Sequence, residues 1–413
     1  MTTAPAEADS RGLLLQLLDP ANRADPYRIC AQFRERGPLQ VPDSPLTVFP
    51  TYRDCDEVLR HPSSSSNNMN STAAKRQLEA GLLQPRQFPP GFLFLDPPDH
   101  TRLRRLVSKA FAPGVVNALQ PEIRGLVDGL LDRIAENGRF DVVADFAYPL
   151  PVAVICRLLG VPLDDESQFS HASAVLAQAL DPFSTLTGIP PQFVNERMQA
   201  MTWLREYFHA LIERRRSSPT DDLLSGLIAV EESGDQLTEE EIVSTCVLLL
   251  IAGHETTVNL IGNAILAMLR TPGQWQALGA DADRAPAVVE ETLRYDPPVQ
   301  LVSRVALADM TIGDVDVPAG DFVMLLLAAA NRDPAEFDRP DTFDPDRGTV
   351  RHLGFGRGAH YCLGAPLARL EAGVALTALT ARFPHARLDG DPHYKANVTL
   401  RGLSELTVAV GTA

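Results

Sequence analysis

Positive charge is in short supply in this 413-residue chain: 37 Lys+Arg face 53 Asp+Glu, a formal net charge of −16. That balance repels phosphate and argues against general nucleic-acid binding and against a polybasic membrane anchor. Cysteine is scarce as well. Cys30, Cys55, Cys156, Cys246 and Cys362 make an odd count, widely spaced and without a CxxC. This pattern excludes a disulfide framework and a zinc ribbon, and it reads as a reduced, cytosolic chain. Long apolar runs are missing too. The best, CVLLLIAG at 246–253 and FVMLLLAAA at 322–330, are core-sized and fall short of the ~18 residues of a membrane span. The start, MTTAPAEADS, has neither a basic n-region nor an apolar h-region, so no signal peptide is expected. There is no internal repeat and no long linker.

A hydrophobic fraction of 45% with 22% charge is ordinary for a folded chain with a large core. Helical periodicity dominates, over about 24–37, 99–111, 120–137, 146–159, 164–180, 192–216, 221–232, 238–270, 272–279, 285–295 and 363–382. Strand composition marks LTVFPTYR at 46–53, pieces near 302–306 and 309–317, and the alternating tail at 398–410. Residues 322–330 fit a buried helix or a strand, and periodicity does not separate the two. The expected class is mainly α with a minor β portion. β-rich parts fall at about 38–60, 300–350 and 385–410, in one domain over 24–413 behind a flexible 1–23. Residues 61–91, polar and rich in Ser, Asn and Pro, read as a loop that is either disordered or functional.

The most informative segment is HLGFGRGAHYCLGAPLARLEA, 352–372. Gly354, Gly356, Gly358 and Gly364 surround Cys362, and a long helix follows. Glycines allow close backbone approach, and a helix start offers free N–H groups and positive dipole character. Both favour a thiolate. An inert buried cysteine is the commonest fate of such a residue. Zinc with His352 and His360 lacks further ligands. A nucleophile with His360 as base and an axial ligand to haem iron both remain open on spacing alone.

FGRGAHYCLG at 355–364 resembles the haem-binding loop of the cytochrome P-450 haem-thiolate monooxygenases, pattern FxxGxxxCxG, with Phe355, Gly358, Cys362 and Gly364 in its fixed positions. The resemblance runs from about residue 24 to the C-terminus and is closest to the soluble bacterial members. It implies a single triangular domain around a buried haem b, with Cys362 as the axial ligand.

AGHETT, 252–257, interrupts the long apolar helix 238–270. Thr hydroxyls bond back to carbonyls one turn earlier, and an acid such as Glu255 in an apolar stretch needs a partner or solvent. The resemblance implies that Thr256 holds dioxygen and a water at a local opening at Ala252 and Gly253. Glu255 would relay protons, and Asn259 would lend polar support. In EETLRYDPP, 290–298, Glu291 and Arg294 stand i,i+3. The resemblance makes this ExxR pair buried and joins Arg347 of FDPDR to it as a structural triad. In HTRLRRLVSKAF, 100–111, His100 and Arg104 share one helical face and Arg102, Arg105 and Lys109 the other. A solvated basic helix is the ordinary reading of such a run. The resemblance makes His100, Arg104, Arg304 and His360 ligands of the haem propionates. The second face becomes a docking patch for an acidic ferredoxin. The remaining histidines, His61, His171, His209, His254, His385 and His393, read as ordinary.

By the same resemblance the substrate pocket takes Phe92, Leu93, Phe94, Leu95, Leu249, Ala252, Val299, Gln300, Leu301, Val302 and Leu400, under a lid at 181–191. Most are apolar, so the substrate gains by burial. The expected activity is O2-dependent hydroxylation or epoxidation of a hydrophobic small molecule, a secondary metabolite by analogy. Electrons would come from NAD(P)H through ferredoxin and its reductase. A peroxide-driven peroxygenase, a non-catalytic haem-binding homologue and a Cys/His hydrolase are the rivals.

Overall fold

A computed structural model describes residues 4–81, 88–177, 194–232 and 237–410. The segment 181–191, expected as a lid, lies outside the described residues. A 32-residue helix, Glu239–Arg270, is the spine of the fold. Its start is fixed by a capping box: the Thr238 hydroxyl accepts from the Glu241 N–H, and the Glu241 carboxylate accepts from the Thr238 N–H. Nearly every residue from Ile242 to Leu250 and from Thr257 to Met268 is buried. The helices Pro149–Leu159, Glu166–Ala177, Val194–Ser217, Ala285–Tyr295 and Ala365–Arg382 pack against it in one large apolar core. Two stretches have membrane-span length and hydropathy, Val142–Leu159 and Glu239–Arg270, and 72% of each apolar window is buried inside this fold.

The β portion flanks the helices. A five-stranded sheet runs in the order Leu39–Gln40, Leu46–Phe49, Phe322–Leu325, Val302–Ala306, Ser64–Ser65. Only the pairing of Leu46–Phe49 with Phe322–Leu325 is parallel. Arg139–Asp141, Thr407–Ala409 and Arg387–Leu388 form a second sheet, and His393–Tyr394 pairs with Leu403–Glu405. The ambiguous 322–330 is both things in turn: strand Phe322–Leu325, then helix Leu327–Ala330.

Three expectations need correction. The N-terminus carries a helix, Ala4–Leu18, where a flexible segment was expected. Leu13, Leu14, Leu17 and Leu18 are buried against Ile29, Phe33 and Val48. Their spacing of one, three and one makes a single helical face, but only four residues long, too short to stand out in sequence. The strand at 46–53 stops at Phe49, because the Thr51 hydroxyl accepts from the Asp54 N–H and starts a helix, Tyr52–Arg60. The polar stretch 61–91 is structured in part. It holds strand Ser64–Ser65 and helix Thr72–Glu79, whose N-cap is Ser71.

Candidate active site

The glycine loop is built to place Cys362. Gly356 and Gly358 have φ of 68° and 67°, a region that L side chains avoid. A Cβ on Gly358 would lie 2.5 Å from the Leu59 carbonyl oxygen. The loop therefore presses on the end of helix Tyr52–Arg60. The Cys362 N–H donates to Phe355 O at 2.8 Å, and helix Ala365–Arg382 begins three residues on. Desolvation pushes the Cys362 thiol up. The N–H groups of Gly364 and Ala365 and the charges of Arg104 and Arg369 offset this in part. The helix start thus aids the thiolate as expected, but in the protein alone burial outweighs it. A bound metal cation would reverse that balance.

Phe355 stacks in a tilted contact with His352, and the Arg369 guanidinium lies 4.7 Å from its ring centroid. Arg369 and His352 both bind Glu290, at 2.6 and 3.2 Å. Burial opposes ionisation of Glu290, but hydrogen bonds from His352 and Arg369 win and hold its carboxyl at about 2.

Glu291, Arg294 and Arg347 meet. Arg294 donates to both Glu291 oxygens, at 2.8 and 2.7 Å, with both side chains fully buried. Arg347 Nε donates to Glu291 Oε2 at 2.9 Å. The other Arg294 hydrogens reach the carbonyls of Asn331, Pro340 and Thr342. Asn331 in turn accepts from the Leu353 N–H at 2.7 Å. A continuous chain of hydrogen bonds therefore runs from the ExxR helix to the first residues of the cysteine loop.

On the other side of the loop, basic groups gather without a free acid among the described residues. The His100 and His360 rings are 4.0 Å apart. Neither His100 ring nitrogen has a hydrogen-bond partner among the described residues, although both are buried. Arg104 reaches Tyr361 O at 2.5 Å, and Arg304 is buried with one bond to Ser303 O. Burial, then the charges of His100, Arg304 and Arg104, drive His360 down to about 3. Burial also lowers Arg304 to about 10, opposed by Asp96. Asp96 is already engaged by the Ser65 hydroxyl, the Ser66 N–H and the Asn70 amide, at 2.5, 3.0 and 3.0 Å. The Ser/Asn-rich loop thereby fixes the carboxylate that stands near Arg304. Two unpartnered imidazole nitrogens and two desolvated guanidinium groups around one place call for a ligand with carboxylates of its own. With Cys362 beside them, the residues present fit haem b.

The basic docking face is smaller than expected. Arg102 turns aside to the central helix, where its guanidinium pairs with Glu241 at 2.5 Å and with Asp99 at 3.6 Å. Its charge is neutralised locally. Arg105 and Lys109 are exposed.

On the central helix the Thr256 hydroxyl donates to Ala252 O at 2.9 Å and that of Thr257 to Gly253 O at 3.2 Å. Ala252 is an exposed step on this otherwise buried helix. Gly253 approaches Ile155 so closely that a Cβ would lie 3.1 Å from its Cδ1. Glu255 is buried and paired with a residue that sequence reasoning missed: Lys395 Nζ donates to Glu255 Oε1 at 2.6 Å and to Asn259 Oδ1 at 3.2 Å. Nothing local marks Lys395, which is 140 positions away. His254 is buried, bonded to Leu250 O at 2.9 Å, and burial lowers its pKa.

The expected pocket residues divide. Phe92 is buried with its ring 6.4 Å from that of His100. Leu93, Phe94 and Leu95 are half-buried beside it. Leu249 is buried one turn before Ala252 and Gly253. Val302 is half-buried on the strand that carries Arg304, two residues away and so on the same face. Val299 bridges buried Leu400 in antiparallel fashion. Gln300 and Leu301 do not belong with them. Gln300 Nε2 bonds to Pro297 O at 2.7 Å, and Gln300 and Leu301 line a small cavity with Leu17, Arg23, Cys30 and Val398. Both thus face the N-terminal helices.

Residues 39–400 match the family model described as Cytochrome P450, and the chain belongs to that family. Vitamin D(3) 25-hydroxylase of Pseudonocardia autotrophica is 40% identical over 94% of this chain and 94% of its own. The cytochrome P450 monooxygenase PikC of Streptomyces venezuelae is 38% identical over 93% and 91%. Among solved structures, ligand-free CYP164A2 of Mycobacterium smegmatis is 64% identical, covers 97% of this chain and 100% of its own, and superposes with a TM-score of 0.93. The same protein with econazole bound gives 0.92. The family consists of monooxygenases that use haem b and O2 with electrons from external redox partners.

Proposed function

We propose that this P450 places one oxygen atom from O2 into a C–H or C=C bond of a hydrophobic small molecule. Cys362 would hold the iron, and Glu255 and Thr256 would supply protons. The observation that carries the reading is the back-bonded Thr256 beside an exposed Ala252, with an ionisable Glu255 next in sequence. When bound, haem b supplies the iron that activates O2. The chain's own atoms do the rest. His100, Arg104, Arg304 and His360 would bind the cofactor's carboxylates. The N–H groups of Gly364 and Ala365 hold the Cys362 sulfur. The Thr256 hydroxyl can exchange its bond to Ala252 O for one to a substrate-side water and pass on a proton that the Glu255 carboxylate first takes up from bulk water.

Thr256→Ala tests this. Cofactor content and the thiolate spectrum are expected to stay, while product per NAD(P)H consumed falls roughly tenfold or more and peroxide rises. Unchanged coupling would withdraw the relay.

The substrate class follows from apolar lining and from kinship. A 64%-identical relative is seen with econazole bound, and a 40%-identical relative is a vitamin D(3) 25-hydroxylase. A mostly apolar small molecule is the expected substrate, with a secondary metabolite the reading from fold-level analogy. None of the five cysteines is in a disulfide, which suits a reducing cytoplasm. A ferredoxin is the proposed electron donor, docking at exposed Arg105 and Lys109. Charge reversal at both should slow reduction by a ferredoxin about tenfold at low salt and much less at high salt. Equal rates in stopped-flow would remove this patch.

A further inference from the structure

The central helix carries a polar stripe at 255, 259 and 263, spaced i, i+4, i+8 and so on one face. One hairpin near the C-terminus meets all three residues. Lys395 binds Glu255 and Asn259. Gly402 lies so close to Asn259 that a Cβ there would overlap its Oδ1 at 1.9 Å. The Asn263 amide donates to Arg401 O at 3.4 Å and to Asp296 O at 3.0 Å. The hairpin is itself held rigidly. Lys395 N–H donates to Gly402 O, Arg401 Nε binds Asp296 at 2.6 Å, and the Arg401 guanidinium covers the Tyr394 ring at 4.4 Å. Such a scaffold presents one ammonium to one carboxylate at a defined place. The Lys395 side chain is 26% exposed and that of Glu255 12%. The pair therefore forms a short path from bulk water to the residue next to Thr256.

We propose that Lys395 is a positioning residue for the acid of the relay: it fixes the Glu255 carboxylate midway along the central helix and keeps it in register with Thr256. The inference rests on the proton-supplying reading of Glu255 and Thr256, and it adds the residue that orients them. Without Lys395, the carboxylate keeps among the described residues only the weak 3.5 Å contact from the Asn259 amide. It is then free to swing, and proton supply to Thr256 becomes irregular.

Two measurements test it. The chain has three lysines, Lys75, Lys109 and Lys395, and the first two are exposed. An amine-reactive reagent followed by mass spectrometry should label Lys395 slowest of the three. In Glu255→Gln its labelling should speed up about fivefold, the protection that a partly exposed ion pair supplies. This reading needs neither cofactor nor turnover, and an unchanged rate would overturn the pairing. In the holoenzyme, Lys395→Met should lower product per NAD(P)H by about tenfold, the lower end of the cost of losing an outer partner of a reactive site. Lys395→Arg should restore most of it, and the solvent isotope effect on product formation should rise in the Met variant. A Met variant with wild-type coupling and isotope effect overturns the proposal, and so does one that turns over faster with coupling intact, which would make Lys395 a restraint. If Thr256→Ala and Glu255→Gln also leave coupling untouched, the relay itself has failed. If they uncouple and Lys395→Met does not, only the role of Lys395 has.

Discussion

Cys362→Ser should give a folded protein that has lost the strongly red-shifted Soret band of the reduced carbon monoxide complex. The loop owes its shape to backbone bonds, to Gly356 and Gly358, and to the Asn331–Leu353 link. None of these needs sulfur, and Ser is close in size. What changes is the donor. The Gly364 and Ala365 N–H groups and the Arg104 and Arg369 charges are set to stabilise an anion at residue 362, and a hydroxyl does not ionise there. Oxygenation should fall by more than the roughly 10–100-fold that loss of an outer-shell partner costs. A retained thiolate spectrum would mean that another residue is the ligand. Wild-type protein that binds no haem at all would return Cys362 to the status of an inert or nucleophilic thiol.

Glu291→Gln should be the most damaging change away from the cofactor. The carboxylate answers two guanidinium groups, Arg294 and Arg347, and accepts the Asp344 N–H at 2.8 Å. Removing its charge leaves Arg294 fully buried and uncompensated. The expected loss is about 3–5 kcal/mol, as for other broken buried pairs. The urea midpoint should fall, and purified protein should retain little haem, because the Arg294–Asn331–Leu353 chain holds the cysteine loop. A variant with an unshifted midpoint and full haem content would show that the loop is anchored elsewhere.

The fold class and the family are legible in the sequence because their signals are local. The Cys362 loop is a run of ten residues, and the helix 238–270 announces itself by period and by its Thr238–Glu241 cap. Glu291 and Arg294 stand three apart, and only Arg347 had to be brought in from 56 positions away. What stayed hidden depends on the tertiary fold. Lys395 has no pattern of its own. Asp96 gains meaning only when Ser65, Ser66 and Asn70 fold over it. Arg102 shares a helical face with Arg105, yet Glu241 captures it once the two helices meet. Gln300 and Leu301 went astray for another reason: the Val299–Leu400 bridge fixes which way that stretch faces, and a bridge between distant residues leaves no local trace.

The seam between the two ends of the chain bears on how the protein is made. Arg23 Nε donates to Ala396 O across 373 positions, and the Arg401 guanidinium donates to Arg23 O across 378. During synthesis at ~5–20 residues per second, the N-terminal partner of each bond emerges roughly 20–75 s before the other. For that interval Leu13, Leu14, Leu17 and Leu18 lack Val398, and for most of it they also lack the strand Phe322–Leu325, which together close over their cluster. Ribosome-bound chains should therefore recruit a holdase chaperone at this leucine face and release it only when residues 396–401 have emerged.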